Sequence, residues 1–457
     1  MTNITAAPTT RADYGGGQAA FYSNSNVVPL PLIEKAAGVH MWDDRGNRYV
    51  DVSSGPAVSN IGHGNTRVAD AMTYQARQLE YAWAQVVQNR PNLDLSARLA
   101  RLAGPGFERV SLTSGGSEAM ENAIKLLRQY AIATKEPSRT KIISCLPSYH
   151  GATVSTLAIS GDTRLEAFLN GFAEPSPKVP APLSYRVPPE FDVSSYADFC
   201  ADALEAKIVE LGAENVLAFI IEPVGGLSTG CLVPPDKYFY RIRDICTRHG
   251  VRLVFDEILC GMGRTGKFLT AHHWPDALPD IITMAKGLAS GYSPLGAVLA
   301  PADIVDQLAE LSGFEFQYSY NANPVSCAAG LAVLDEYERL DLVNQAAVMG
   351  QALREGLEQL KSEFQIIGDI RGLGMLLAVE LVSDRQTKAP MPIESAVTEK
   401  VRSHGLNNGL MIYARTTCHG MYGQWFLVSP PLTITQEEVG DLLERLAATL
   451  NDLANDR

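Results

Sequence analysis

The chain holds 457 residues, 46% apolar and 19% charged, with a net charge of −13. That length implies more than one domain, the composition excludes a disordered chain, and an acidic balance without any basic run excludes a nucleic-acid footprint. Seven scattered cysteines, odd in number and without a CxxC pair, read as core residues of a reducing compartment, and no stretch reaches membrane-spanning length, so a soluble cytoplasmic protein with no membrane partner is expected.

Residues 1 to about 26 are polar and rich in Gly, Ser and Asn, which predicts a loosely packed arm. "HMWDDRGNRYVD" (40–51) predicts a hairpin, two alternating runs around an Asp-Arg-Gly-Asn turn. Short β-rich runs then alternate with helical patterns from about 60 to 330. The strands are predicted at 109–113, 141–146, 216–224, 252–258 and 280–285, and helices at 117–134, 199–211 and 236–249. In the first of these helices Met120, Ala123, Ile124, Leu127 and Ala131 share one face. Segment 173–192, "AEPSPKVPAPLSYRVPPEFD", is proline-rich and reads as a loop. Beyond 330 come a long helix, "DIRGLGMLLAVEL", a helix near 393–408, "WFLVSPPL" and a final helix. The alternation predicts an α/β fold with a mostly parallel sheet covered by helices, followed by an α+β tail.

"GMGRTGKF" (261–268) matches two glycine motifs. The P-loop fails because Phe268 stands where a Ser or Thr should hold Mg²⁺. The dinucleotide fingerprint lacks its context, since Asp256 to Cys260 separate the glycines from the strand and Pro275 and Pro279 interrupt any following helix. A glycine-rich active-site loop is the better reading, with an NAD-dependent oxidoreductase kept as a lesser one. His272-His273 near Asp256-Glu257 lack the spacing of a zinc site, so no metal is expected.

The strand ends carry the chemistry. "DIITMAKGLASGYSPLG" (280–296) ends an apolar strand on Lys286, either a lysine reaching solvent along its stem or an amine of depressed pKa able to attack a carbonyl. "SLTSGGSEAMENAIKLL" places Gly115, Gly116 and Ser117 at a helix start, as a phosphate cradle or a plain N-cap. "VFDEI" ends on two carboxylates, of which strand alternation allows only one into a central site; Asp256 is the choice. "PSYHG" offers Tyr149 as a flat ring, or as ordinary packing, and "IIEPVGG" offers Glu222, or a structural ion pair. An amine, a phosphate cradle, a carboxylate for a ring nitrogen and a stacking face are together what pyridoxal phosphate requires.

These motifs, with "GRTG" (263–266), "AKGL" (285–288), "SYNANPVSCAA" (319–329) and "RGLGMLLAVEL" (371–381), resemble those of the class III, or ω-type, aminotransferases of fold type I, over residues 28 to 445. The resemblance implies a large domain at 61–330 that binds pyridoxal phosphate. It also implies a smaller α+β domain built from both termini, 1–60 and 331–457. It makes Lys286 the Schiff-base lysine and Asp256 the partner of the ring nitrogen. Gly116 and Ser117 would bind the phosphate, Tyr149 and Ile258 would flank the ring, and Glu222 would help order the site. In that family a hydroxyl of the neighbouring subunit also reaches the phosphate. Ser319 holds that place where threonine is more usual, which implies a homodimer with shared active sites.

The implied reaction moves an amino group, in two half-reactions, from an ω-amino acid or amine donor to a keto acid, pyruvate being the expected acceptor. An intramolecular aminomutase is the alternative on the same fold. Arg415 matches the mobile arginine that clamps the acceptor carboxylate; read alone, it is a surface arginine on a loop. Leu227 replaces the gating glutamate of ornithine- and GABA-type members. Ala57 stands within a segment where amine-active members often carry tryptophan, which suggests a roomier pocket.

Overall fold

The computed structural model describes residues 30–456, so the arm expected at the N-terminus lies outside the described residues. The chain enters through β1 (Ile33–Ala37), β2 (His40–Asp43) and β3 (Arg48–Asp51), an antiparallel meander. The β2–β3 turn closes as its sequence suggests. The Asp43 carboxylate accepts from the N–H groups of Arg45 and Asn47 at 3.0 and 2.8 Å, and Gly46 supplies a φ of +83°.

Seven strands form the central sheet: β4 (Arg109–Thr113), β5 (Lys141–Leu146), β6 (Lys178–Pro180), β7 (Val216–Ile221), β8 (Arg252–Asp256), β9 (Ile281–Met284) and β10 (Gly296–Ala300), in the order β4-β10-β9-β8-β7-β5-β6. Neighbours from β6 to β9 pair in parallel, while β10 runs antiparallel to both β4 and β9. All six residues of β7 are buried, as a central strand covered on both faces requires. Alternate residues divide between two apolar clusters. Ile220, Val254, Ile281 and Val298 pack under the helices Gly116–Ala133 and Ala302–Leu311, whereas Phe219, Phe255 and Ile282 pack under Val193–Leu211 and Asp236–Arg248.

The remaining strands are β11 (Ile367–Leu373), β12 (Leu376–Asp384), β13 (Ala389–Pro390), β14 (Leu410–Met411), β15 (Ala414–Thr416) and β16 (Gln424–Val428). They build a sheet in the order β11-β12-β16-β15 with β13 on β12, while β14 pairs in parallel with β3 and so ties the C-terminal part to the N-terminal meander. The architecture is α/β, with a mostly parallel sheet and a smaller α+β part drawn from both ends of the chain.

Several elements differ from the sequence reading. β10, "GAVLA", was not anticipated; it is a short apolar run whose register is set by the strands on either side. β6 lies within the proline-rich segment read as a loop, and its place at the sheet edge tolerates Pro180. The helix expected from 199 begins at Val193, because the Asp192 side chain accepts from Ser195 N and Ser195 returns the bond. The long helix beyond 330 is two helices, Pro324–Arg339 and Leu342–Glu363, broken at Asp341 with φ +49°.

The "GRTG" turn is a structural hub. Arg264 is completely buried, and its guanidinium donates to Asn60 Oδ1 and Ser54 Oγ, both at 3.0 Å, and to the carbonyl of Pro430. Burial lowers its pKa to about 10, only partly offset by Tyr337 and then Asp51. One side chain thus joins the N-terminal segment, the central sheet's loop and the C-terminal segment. Arg264→Met would leave those acceptors buried and unpaired, so we expect a loss of about 3 kcal/mol or more, read as a lower urea midpoint.

Candidate active site

Four parallel strands, β5, β7, β8 and β9, end on one side of the sheet, together with β4, and a cavity of about 420 Å³ opens there. Such strand ends leave main-chain groups and side chains without ladder partners, which makes the crevice the natural ligand site of an open α/β sheet. Gly116, Ser117, Tyr149, Glu222, Asp256, Ile258 and Lys286 all line this cavity.

Lys286 comes two residues after the end of β9, in a tight turn with φ +47°. Desolvation lowers its pKa to about 8, against the opposing pull of Asp256 and then Glu222. The solvent-reaching alternative therefore fails: Lys286 is half-buried and lines the cavity together with the two carboxylates. Asp256 is the last residue of β8 and is buried; its Oδ2 lies 2.9 Å from His150 Nδ1 and its Oδ1 accepts from Ile258 N at 3.1 Å. Glu257 points away, as strand alternation demands. Its two oxygens accept from Thr270 N and Ala271 N at 2.6 and 2.7 Å, and burial raises its pKa to about 7.

Glu222 leaves β7 and accepts from Tyr149 N at 3.0 Å and from Gly226 N at 2.8 Å; burial raises its pKa. It fixes the backbone that carries the Tyr149 ring, and is not an ion pair within the described residues. At the start of the Gly116–Ala133 helix the N-cap is Gly115, with no side-chain cap, so the plain N-cap reading of Ser117 fails. Ser117 Oγ instead accepts from Ala152 N at 3.0 Å. A Cβ on Gly116 would meet Ile258 Cγ2 at 2.9 Å, and one on Gly151 would meet Ser117 Oγ at 2.8 Å, so glycine keeps this corner open.

Three predicted residues lie apart from the cavity wall. Ala57 is buried in a turn with φ +59°, and its neighbour Val58 lines the cavity instead. Ser319 is exposed at the surface, its carbonyl accepting from Tyr81 OH at 3.0 Å. Arg415, on β15, sits behind Tyr149 with its guanidinium 5.9 Å from the ring centroid and Nη2 3.0 Å from Asp162 Oδ2. Its side chain is only 15% exposed, so it is no surface arginine. His272 and His273 each meet a main-chain carbonyl, of Ala103 and Thr265 respectively.

His150 was missed from sequence. It is fully buried, it orients Asp256, and its Nε2 has no partner among the described residues. Its signal was available, because it stands beside Tyr149 in "SYHG" and a buried aspartate needs a partner.

The donor set fits one cofactor. A half-buried amine of lowered pKa, an uncapped helix start held open by glycine and a carboxylate held by hydrogen bonds define a pyridoxal-phosphate enzyme. The chain belongs to the class III aminotransferases, whose family model, described as Aminotransferase class-III, matches residues 21–450. It is 36% identical over 430 residues to the "Probable aminotransferase Rv3329" of Mycobacterium tuberculosis, covering 93% of this chain and 90% of that protein. It is 30% identical over 443 residues to the putrescine–pyruvate aminotransferase of Pseudomonas aeruginosa, with 95% and 93% covered. The ω-transaminase of Pseudomonas jessenii in complex with PMP superposes with a TM-score of 0.89 at 30% identity, over 96% of this chain and 97% of that one. The protein is thus a pyridoxal-phosphate-dependent aminotransferase, and the aminomutase and NAD-dependent readings are not favoured.

Only the neutral amine attacks an aldehyde, so the lowered pKa of Lys286 sets a pH profile. Covalent capture of pyridoxal phosphate by the cofactor-free protein should quicken with rising pH and level off above about 8, not near the ~10.4 of an ordinary lysine. Stopped-flow absorbance would follow it, and Lys286→Ala should show no covalent capture.

Proposed function

We propose that the protein takes amino groups from ω-amino acids or simple amines and passes them to a keto acid, with pyruvate as the acceptor. The observation that carries this is Arg415, a cation held beside the site on Tyr149 and Asp162, off the cavity wall. It can answer an acceptor carboxylate without confronting an uncharged donor. Val58, Leu227, Leu259 and Leu295 give the cavity apolar walls suited to an amine's carbon chain, and Leu227 brings no acid there. The Pseudomonas aeruginosa relative, named for putrescine and pyruvate, supports the same choice.

Bound in this cavity, pyridoxal phosphate supplies an electron sink that stabilises negative charge on the donor carbon. Lys286 Nζ would hold the cofactor, and its amine would move the donor-carbon proton as general base and then acid. Asp256, fixed by His150, would keep the ring nitrogen protonated. Gly116 N–H and Ser117 would hold the phosphate, Tyr149 and Ile258 would hold the ring, and Glu222 keeps the Tyr149 backbone in place. Ala57 shapes the pocket only through the turn that presents Val58.

Ser319 would complete a phosphate site across a homodimer. Its support is a group of exposed apolar residues, Tyr81 and Tyr320 in contact beside it, with Trp83, Val86, Val87 and Phe316 near them in the chain. The domain limits at about 60 and 330 belong to the same reading, supported by the separate central and C-terminal sheets. So does a cytoplasmic location, supported by seven buried, unpaired cysteines; among the described residues no helix is long and apolar enough to cross a membrane.

A donor panel read by loss of the visible cofactor band, with pyruvate and 2-oxoglutarate compared as acceptors, tests the proposal. Terminal amines should bleach the band and pyruvate should restore it; a panel in which only α-amino acids react would replace this reading. Arg415→Ala should raise the KM for pyruvate about 10- to 100-fold through loss of a charge-assisted contact, with far less effect on the amine half-reaction.

A further inference from the structure

The partner of Arg415 is itself placed with care. Asp162 is 3% exposed in its side chain and meets two guanidinium groups. Arg164 Nε lies 3.0 Å from both of its oxygens, with Nη2 closing a second contact, and Arg415 Nη2 lies 3.0 Å from Oδ2. Cys418 Sγ adds a weak contact to Oδ1 at 3.7 Å.

The segment bearing Asp162 is rigid and tied to the active site. Gly161 and Ser148 exchange main-chain hydrogen bonds, both at 3.0 Å, one residue before Asp162 and one before Tyr149. A Cβ on Gly161 would meet Cys145 O at 2.2 Å, so the close approach depends on glycine. Arg415, by contrast, comes from β15, the edge strand of the C-terminal sheet, and its buried Nε has no partner among the described residues.

Removing the sole partner of a buried carboxylate is strongly unfavourable, and would pin Arg415 in place. Here Arg164 already compensates Asp162, so Arg415 can depart and leave a neutral pair behind. A departing Arg415 also has an unfilled donor to offer a substrate carboxylate. We propose that Asp162, balanced by Arg164, is a positioning residue that sets how readily Arg415 leaves its resting pair for a substrate carboxylate. The trio thereby sets the preference between carboxylate-bearing and carboxylate-free substrates. This rests on the reading of Arg415 as the carboxylate clamp.

Two substitutions should act in opposite directions, which a merely structural role would not produce. In the holoenzyme, Asp162→Asn removes the competing carboxylate, and Arg164→Met leaves Arg415 as its sole counter-charge. We expect the KM for pyruvate, and the Kd of the non-reacting carboxylate propionate by calorimetry, to fall about tenfold in the first and rise about tenfold in the second. The rate of the amine half-reaction and kcat should move far less. Equal-sign shifts, or no shift in either constant, would overturn the proposal. If Asp162→Asn does not fold, as judged by loss of the visible cofactor band, the sign of the Arg164→Met shift decides alone. Arg415→Ala separates the two readings. Unchanged propionate binding in that variant would remove the clamp itself. Lost binding there, with parental binding in both other variants, would remove only the role of Asp162 and Arg164.

Discussion

A lysine ammonium carried into the interior loses its hydration, and every neighbour of Lys286 answers that constraint. Desolvation lowers its pKa to about 8, and of the two carboxylates that offset the loss Asp256 is buried and Glu222 half-buried. Each acid then needs partners of its own. Asp256 meets His150 and the Ile258 amide, whereas Glu222 accepts from the amides of Tyr149 and Gly226. Glu257, facing the other way, uses the amides of Thr270 and Ala271. A sheet interior has no free amides to give. The ends of parallel strands do, which is why the amine and its acids collect there.

The same geometry keeps the corner at Gly116 and Ser117 open. Backbone approaches side chain or backbone so closely at Gly116, Gly151 and Gly296 that a Cβ would collide, in the last case with the carbonyl of Gly115 at 2.4 Å. Gly296 meets Gly115 because β10 pairs antiparallel with β4, whereas Gly151 meets Ser117 from the turn after β5. The start of the Gly116–Ala133 helix is thereby held beside the turn that carries Lys286, with its first N–H groups free of any side-chain cap.

Coupling between the two parts of the molecule is polar where it matters to the site. From a fully buried position Arg264 ties its own loop to the N-terminal stretch at Ser54 and Asn60 and to the C-terminal part at Pro430. Arg371 reaches from β11 to the carbonyl of Thr229, in the loop that Glu222 organises, while pairing with the buried Glu380 at 2.6 Å. The C-terminal sheet therefore sets the position of active-site loops as well as delivering Arg415 to the back of Tyr149.

The sequence alone determined the alternation of strands and helices, the hairpin at 40–51 and the residue types that a pyridoxal-phosphate site requires. Local causes govern all of these: side-chain period, turn chemistry and the appearance of charged groups at the ends of apolar runs. Alternation even chose Asp256 over Glu257. Tertiary structure alone decided the rest, because the deciding contacts join residues far apart in the chain. β10 became a strand through its neighbours, His150 gained its meaning from an aspartate more than a hundred residues away, and Val58, not Ala57, lines the cavity after a segment with positive φ at Ser54, Gly55 and Ala57. Arg415 reads as a loop arginine until the fold buries it between Tyr149 and Asp162. No local pattern encodes that pairing, since its energy exists only once water has been excluded from both charges.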